Sequence, residues 1–262
     1  MTAFELRWAT QQRVRRLSIK AHASRWDPTR IIGDGAAIKP PRFLPRRTYA
    51  TLISQFLHGE RATVHACRQL MAATDDAVMH EFLQTQIDDE TRHARAYEHY
   101  VNHLGGVEPL DPGLAELLER VLGADGPPEI WLLGFQVLLE GEALRTLADF
   151  QGSLPCPVFA ALNACIAQDE ARHVAFGKLV AKDSLTRLTP GQRRDLYLTL
   201  QDLWRDAGAA VLGRVRLPDL FTRRLRRHWL AEGWDRHHRA FVEVGLCAAP
   251  GPAGQIDQAA TA

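Results

Sequence analysis

The sequence lacks the features that mark membrane, secreted and thiolate-metal proteins. No apolar run approaches the roughly 18–20 residues of a membrane-spanning helix. The first twenty residues have neither the apolar core nor the cleavage site of a signal peptide. The four cysteines show no metal-type or disulfide-framework spacing; they are Cys67, Cys156, Cys165 and Cys247. We therefore expect a reduced, cytoplasmic protein without a membrane partner.

The charge is small in total but uneven along the chain. The formal net charge is +1, yet the first fifty residues contain eleven lysines or arginines. A second basic cluster, RRLRRHW, runs from Arg223 to Trp229. No recognised nucleic-acid motif accompanies either cluster, so we interpret both as solvated faces and expect no nucleic-acid partner.

Helical periodicity dominates the chain, and strand-like alternation is lacking. Apolar residues at helical spacing predict long helices over 46–73, 77–104, 128–150 and 157–182. A short helix lies in the middle, and two more follow, the first with Thr189 as N-cap and Pro190 at its first position. The prediction is an all-α protein, one helical domain over 1–247 with its core at about 46–182, followed by a disordered tail over 248–262.

The string Asp-Glu-x-Arg-His occurs twice, eighty residues apart, as DDETRH and QDEARH. Residues three apart share a helix face, so Glu90 with His93 and Glu170 with His173 could each hold a metal ion. Two such pairs, together with one Glu from each of two further helices, form the ligand set of a carboxylate-bridged dinuclear site. The mixed histidine and carboxylate set favours iron or manganese over thiolate-bound zinc.

The two missing carboxylates should lie in the other two long helices. Glu60 is the only acidic residue of its helix, lies on an apolar stripe and stands thirty residues before Glu90. The other helix offers Glu140 and Glu142. Apolar neighbours and the same thirty-residue spacing to Glu170 favour Glu140, which we predict as the ligand, whereas the local match of HGER to EGEA favours Glu142.

This pattern resembles the ferritin-like di-iron carboxylate superfamily, which includes the ribonucleotide reductase small subunit and di-iron oxygenases. The residues that carry the resemblance are Glu60, Glu90, His93, Glu140, Glu170 and His173. The likeness covers about residues 46–182 and is specific to the superfamily rather than to one member. It implies a ferritin-like four-helix bundle with additional N- and C-terminal helices. It also implies two iron ions held by these six residues, with manganese or a mixed Mn/Fe pair as alternatives.

The resemblance also implies partners for the ligands. Asp89 and Asp169 would each accept a hydrogen bond from the metal-bound histidine of the opposite hairpin, which would fix its tautomer. Arg92 and Arg172 either neutralise these aspartates or lie at the surface. Glu142 would be a further neighbour of the site.

Other positions bear on which member of the superfamily the sequence resembles. Tyr97, four residues after His93, stands where the reductase small subunit carries its radical tyrosine; the alternative is a packed core tyrosine. Glu60 replaces the reductases' usual aspartate, and Ile166 replaces the extra histidine of arylamine N-oxygenases. Three amides fall on ligand faces, either as pocket residues or as satisfied core amides: Gln86, Gln136 and Asn163.

The function that follows from the resemblance is an O₂-activating dinuclear iron oxygenase or oxidase. Its partners would be O₂, a small organic substrate and an electron donor, either a ferredoxin or a reductase. One alternative is a radical-generating subunit, which Tyr97 would serve. The other is a ferroxidase-type metal-handling bundle without an organic substrate. A homodimer stays open as the oligomeric state.

Overall fold

The computed structural model describes residues 5–35, 37–124, 126–153, 156–212 and 219–248, and these contain helices but no strand. In chain order the elements are α1 (Trp8–Ala23), α2 (Pro28–Ile32), α3 (Arg46–Ala72), α4 (Ala77–Asn102), α5 (Pro112–Leu122), α6 (Glu129–Trp131), a π-helical segment (Leu132–Leu139), α7 (Glu140–Ser153), α8 (Pro157–Ser184), α9 (Pro190–Leu212) and α10 (Asp219–Val244). The predicted all-α class is confirmed. Most of the predicted tail, residues 249–262, lies outside the described residues, as do the side chains of residues 223–227 in the second basic cluster.

Local signals set where the core helices begin and end. The Asp76 carboxylate accepts hydrogen bonds from the amides of Val78 and Met79, which caps the start of α4. Gly105 and Gly106, with φ of 122° and 117°, follow the end of α4 in a backbone conformation that other residues rarely adopt. Short connections make α3 antiparallel to α4 and α7 antiparallel to α8, which gives the two predicted helical hairpins.

The third core helix departs from the single α-helix that its periodicity predicts. Residues Leu132–Leu139 form a π-helical segment, and α-helix resumes at Glu140. The segment packs closely on α8 at Gly177, where an added Cβ would lie 2.5 Å from the Cβ of Gln136. A π segment inserts extra residues into a turn and is frequent at functional sites, so sequence periodicity alone could not predict it.

Two apolar clusters lie along the bundle, with a polar layer between them. On α4, Phe82 belongs to the first cluster and Tyr97 to the second; on α8, Phe176 and Ile166 do the same. The same change of cluster occurs on the other two core segments. On each of the four core segments the predicted ligands lie between the residues of the first cluster and those of the second. The fold therefore places all the predicted ligands at one level of the core.

The N-terminal helices cover the two helices that carry the repeated string. Both α1 and α2 pack against α4 and α8, and Val14 and Ser18 of α1 are fully buried. The backbone amide of Leu6 donates to Asp76, which caps α4, and that of Arg7 donates to Asp183 of α8. The residues just before α1 are therefore fixed to both of these core helices. None of the helices among the described residues has the length and apolarity needed to cross a bilayer.

Candidate metal centre

The structure brings all six predicted ligands together in the buried polar layer. Their donor atoms form two groups within which all atoms lie within 4.8 Å of one another. The first group is Glu60, Glu90, His93 and Glu170, and the second is Glu90, Glu140, Glu170 and His173. Glu90 and Glu170 belong to both groups, so their carboxylates are placed to bridge two neighbouring cations.

The inner nitrogen of each histidine faces carboxylate oxygens. His93 Nδ1 lies 3.2 Å from Glu170 Oε1, 3.4 Å from Glu90 Oε2 and 3.8 Å from Glu60 Oε2. His173 Nδ1 lies 3.1 Å from Glu90 Oε1 and 3.3 Å from Glu170 Oε2. Although they are buried, His93 Nδ1 and Glu90 Oε2 have no hydrogen-bond partner among the described residues. A buried lone pair among anionic oxygens is costly unless a cation lies between them.

The donor set fits a pair of divalent ions of the iron or manganese type. The outer nitrogens, His93 Nε2 and His173 Nε2, are each engaged by an aspartate, which leaves both Nδ1 lone pairs free for a metal. Four carboxylates carry a formal charge of −4, which two M²⁺ ions balance. Nitrogen and oxygen donors without thiolate match iron or manganese.

With protein groups alone, bound protons offset part of this negative charge. Burial raises the pKa of Glu60 and Glu140 well above the usual range, and neighbouring carboxylates add to the effect. Burial opposes protonation of His93 and His173, but the surrounding carboxylates outweigh it and raise both pKa values well above normal. Glu90 behaves oppositely: burial raises its pKa, but the charge of His173 and hydrogen bonds lower it well below normal.

A crossed network of aspartates and arginines surrounds the histidines. His93 Nε2 lies 3.0 Å from Asp169, and His173 Nε2 lies 3.3 Å from Asp89. This is the crossed arrangement that the resemblance implies. The guanidinium of Arg172 lies 2.9 Å from Asp89 and 2.6 Å from Asp169.

Arg92 completes this network, at 2.6 Å from Asp89 and 2.8 Å from Asp169. Both arginines therefore neutralise the aspartates, which resolves the alternative that the sequence left open. Burial raises the pKa of Asp89 and Asp169, but hydrogen bonds from the histidines outweigh it and lower both pKa values below normal.

Trp26 belongs to the same network, although no sequence pattern predicts it there. Its Nε1–H donates to Asp169 at 2.8 Å, and its ring stacks on His93 with centroids 6.0 Å apart. The Arg92 guanidinium lies 5.1 Å from the centre of the same ring. Trp26 lies outside the repeated string and outside the predicted core, so no spacing rule connects it with the site.

Glu140 and Glu142 occupy different environments. Gln86 donates to Glu140 at 2.6 Å and to Glu90 at 3.2 Å, so this amide joins two predicted ligands. Glu142, which the sequence predicts as a further neighbour of the site, belongs to neither donor group. Its carboxylate lies 2.6 Å from Arg145 and 3.4 Å from Arg236, because two residues turn a helix by about 200°.

Two buried polar side chains, one on α4 and one on α8, have no hydrogen-bond partner in the described part of the chain. The Tyr97 hydroxyl is fully buried and unpaired, while its ring stacks on Phe56 at 5.7 Å. Burial raises its pKa well above normal, and the nearby carboxylates add to this, so the phenol stays protonated. Asn163 is 1% exposed, and neither atom of its amide is paired. Asn163 is therefore not satisfied by any described protein group, unlike a core amide paired within the bundle.

Solved structures of R2-like ligand-binding oxidases share this fold. The oxidase from Sulfolobus acidocaldarius gives a TM-score of 0.59 at 17% identity, covering 87% of this chain and 90% of the other. A point mutant of an R2-like ligand-binding oxidase with an aerobically reconstituted Mn/Fe cofactor gives 0.61 at 20% identity, covering 87% and 92%. No protein-family model and no curated protein matches the sequence.

At these identities the likeness establishes the fold. The chain has the ferritin-like helical-bundle fold of these structures, and the predicted resemblance to the ferritin-like di-iron carboxylate proteins is confirmed at the level of the fold. The buried groups of glutamates and histidines are positioned for two metal ions.

Proposed function

We propose that this protein is a cytoplasmic dinuclear iron, or mixed Mn/Fe, oxidase or oxygenase that uses O₂ to oxidise a small organic substrate. The observation that carries the proposal is the sharing of Glu90 and Glu170 between two buried donor groups. Structurally similar R2-like ligand-binding oxidases are described with a Mn/Fe cofactor, which supports the choice of metals.

Each group in the layer has a task in this proposal. Glu60, Glu90 and His93 would hold one ion together with Glu170, and Glu140 and His173 would complete the second site. When bound, such a metal pair supplies the electrons and the Lewis acidity that O₂ activation requires.

The surrounding residues keep the ligands oriented and the site dry. Asp89 and Asp169 hold the outer nitrogen of each histidine, so that the inner nitrogen is presented to the metal. The Gln86 amide orients the Glu140 carboxylate. The apolar clusters on both sides exclude bulk water, which strengthens electrostatic interactions within the layer.

The test is anaerobic loading with Fe(II), followed by metal analysis and measurement of O₂ uptake. We expect about two metal ions per chain, as the two donor groups require, and O₂ consumption on exposure to air. His173→Ala should lose paired binding, whereas His58→Ala should keep it, because His58 Nε2 contacts the backbone oxygen of Glu108 at 3.0 Å instead. Two bound ions without any O₂ consumption would contradict the oxidase.

A radical-generating subunit is the second candidate, and Tyr97 is the observation that favours it. Its hydroxyl is buried and unpaired among the described residues, and the charges of Glu60 and His93 act on it. A persistent tyrosyl radical signal after O₂ exposure, lost in Tyr97→Phe, would support this alternative. Substrate oxidation that is retained in Tyr97→Phe would support the oxidase instead.

A further inference from the structure

A basic groove lies between α1, α8 and α10, away from the metal centre. Its volume is about 350 Å³. Five cations line it: Arg13, Arg16 and Lys20 from α1, and Lys178 and Lys182 from α8. One carboxylate, Glu243 of α10, also lines it, so the formal charge is 5 − 1 = +4. The three α1 cations share a face because they are spaced by three and four residues.

The charge of this groove is not balanced locally. Glu243 lies 2.7 Å from Lys178 and 3.3 Å from Lys182. Arg13, Arg16 and Lys20 have no ion-pair partner among the described residues. A concave, one-sign surface concentrates its field and attracts a partner of opposite charge. The fold thus gathers part of the N-terminal basic cluster and two lysines of α8 into one surface.

The groove lies on the outer side of the helix that carries the second ligand pair. Lys178 follows His173 by five residues, which places it about 140° around α8. Leu179 lines the groove, whereas Glu170 and His173 point into the core. Groove and metal centre are therefore separated by roughly the 10 Å width of one helix.

We propose that this basic groove docks the acidic face of a one-electron donor protein of the iron–sulfur type. The inference rests on the proposed function, because an oxygenase that inserts one oxygen atom of O₂ into its substrate and releases the other as water needs two further electrons from a donor. Two donor molecules would each lose one electron, which balances the reduction of two M³⁺ ions to two M²⁺ ions. Charge complementarity selects the partner, and the groove lies next to the ligand-bearing helix.

Other anionic occupants fit the groove less well. A nucleic acid would meet the carboxylate of Glu243, and no aromatic side chain of the described residues lines the groove for base stacking. A membrane requires a flat or convex surface, whereas this one is concave. Anionic vesicles nevertheless serve as a competing probe in the test.

The experiment measures binding of a reduced acidic [2Fe–2S] ferredoxin to the full chain by titration calorimetry, with and without bound iron. The double variant Arg16→Glu, Lys182→Glu should weaken binding by about tenfold or more at low salt. Arg194→Glu makes the same type of charge change at an exposed position of α9 and should change binding less than about twofold. Glu243→Gln removes the carboxylate that lines the groove and should tighten binding.

A second measurement follows reduction of the iron-loaded protein. The double variant should slow reduction by ferredoxin and leave reduction by methyl viologen unchanged. Absence of ferredoxin binding would overturn the proposal, as would binding that the double variant does not weaken. Binding to phosphatidylserine vesicles without binding to ferredoxin would also overturn it. Docking is measured on metal-free protein too, so its failure is distinguishable from a failure of the metal centre.

Discussion

Asp169 on α8 accepts a hydrogen bond from His93 on α4 at 3.0 Å, although the two residues stand 76 positions apart. Asp89 and His173 make the reciprocal contact at 3.3 Å. Each copy of the repeated string thus supplies two predicted ligands and also the aspartate that anchors the histidine of the other copy. A shift of α4 against α8 would disturb both histidines at once, so the repeat ties the two hairpins into one register.

Loss of one anchor should weaken metal binding without removing a ligand. We expect Asp89→Asn to lower metal affinity by about 10–100-fold, because the amide no longer holds the Nε2–H of His173 as an anionic acceptor. Asp88→Asn is the matched control, since Asp88 is the neighbouring residue and pairs with Arg25 in an exposed position. Equal affinities of the two variants, measured by anaerobic metal titration, would show that the crossed contact does not orient the histidine.

The two candidate glutamates of α7 give a direct comparison. Glu140→Gln should reduce the metal content from about two ions to about one, because it removes one anionic donor of the second group. Glu142→Gln should keep both ions, since Glu142 pairs with Arg145 and Arg236 instead. Metal content by elemental analysis decides the question, and loss of an ion in Glu142→Gln alone would reverse the assignment.

The spacing of titratable residues predicts most of the candidate site. A helix of 3.6 residues per turn places Glu90 and His93 on one face, so two i, i+3 pairs on separate helices are enough to predict the polar layer. Helix starts are equally accessible from the sequence, because Asp76 and Pro190 are local signals.

Contacts between distant segments could not be predicted in this way. Trp26 reaches Asp169 across 143 positions, and the sequence around it has no spacing that points to α8. The π segment before Glu140 packs closely against Gly177 of α8, and local propensity encodes neither this contact nor the π conformation. Asn163 is a further example. Helical spacing predicted that Asn163 lies on the ligand face of α8, but it could not predict that its amide has no partner among the described residues.

Metal binding should release protons, and affinity should rise with pH. The pKa values of His93 and His173 are raised well above normal, as are those of Glu60 and Glu140, so these groups hold their protons to higher pH in the metal-free protein than they would in water. Metal ions have to displace those protons, and lower pH therefore opposes binding. Anaerobic calorimetry in two buffers of different ionisation enthalpy measures the release. A binding heat that does not depend on the buffer would contradict it.

Gly177 should be intolerant of a side chain. An added Cβ would lie 2.5 Å from the Cβ of Gln136 and 3.3 Å from its backbone oxygen, so Gly177→Ala would force the π segment away from α8. We expect a loss of about 1–3 kcal/mol in the free energy of unfolding, as for other overpacked cores. Gly59→Ala is the control, because its Cβ meets nothing within 4 Å, and it should stabilise α3 by about 0.5–1 kcal/mol. Urea denaturation of the metal-free variants measures both, and a stabilised Gly177→Ala would contradict the packing.

Asn163 should lower the stability of the metal-free protein. Its amide is 1% exposed, and neither its nitrogen nor its oxygen has a partner among the described residues, so folding strips water from two polar atoms without compensation. Asn163→Leu has nearly the same shape and should raise the free energy of unfolding by about 1–3 kcal/mol, the usual cost of an unsatisfied buried group.

Ser54→Ala serves as a comparison, because it removes a hydrogen bond that is made: Ser54 Oγ accepts from the Glu108 amide at 3.0 Å. We expect this substitution to lower the free energy of unfolding by about 1 kcal/mol. Urea denaturation monitored by circular dichroism compares the three proteins. If Asn163→Leu is instead destabilised as much as Ser54→Ala, the amide must be hydrogen-bonded in solution. A buried water or a bound ligand would then supply the missing partner of the amide.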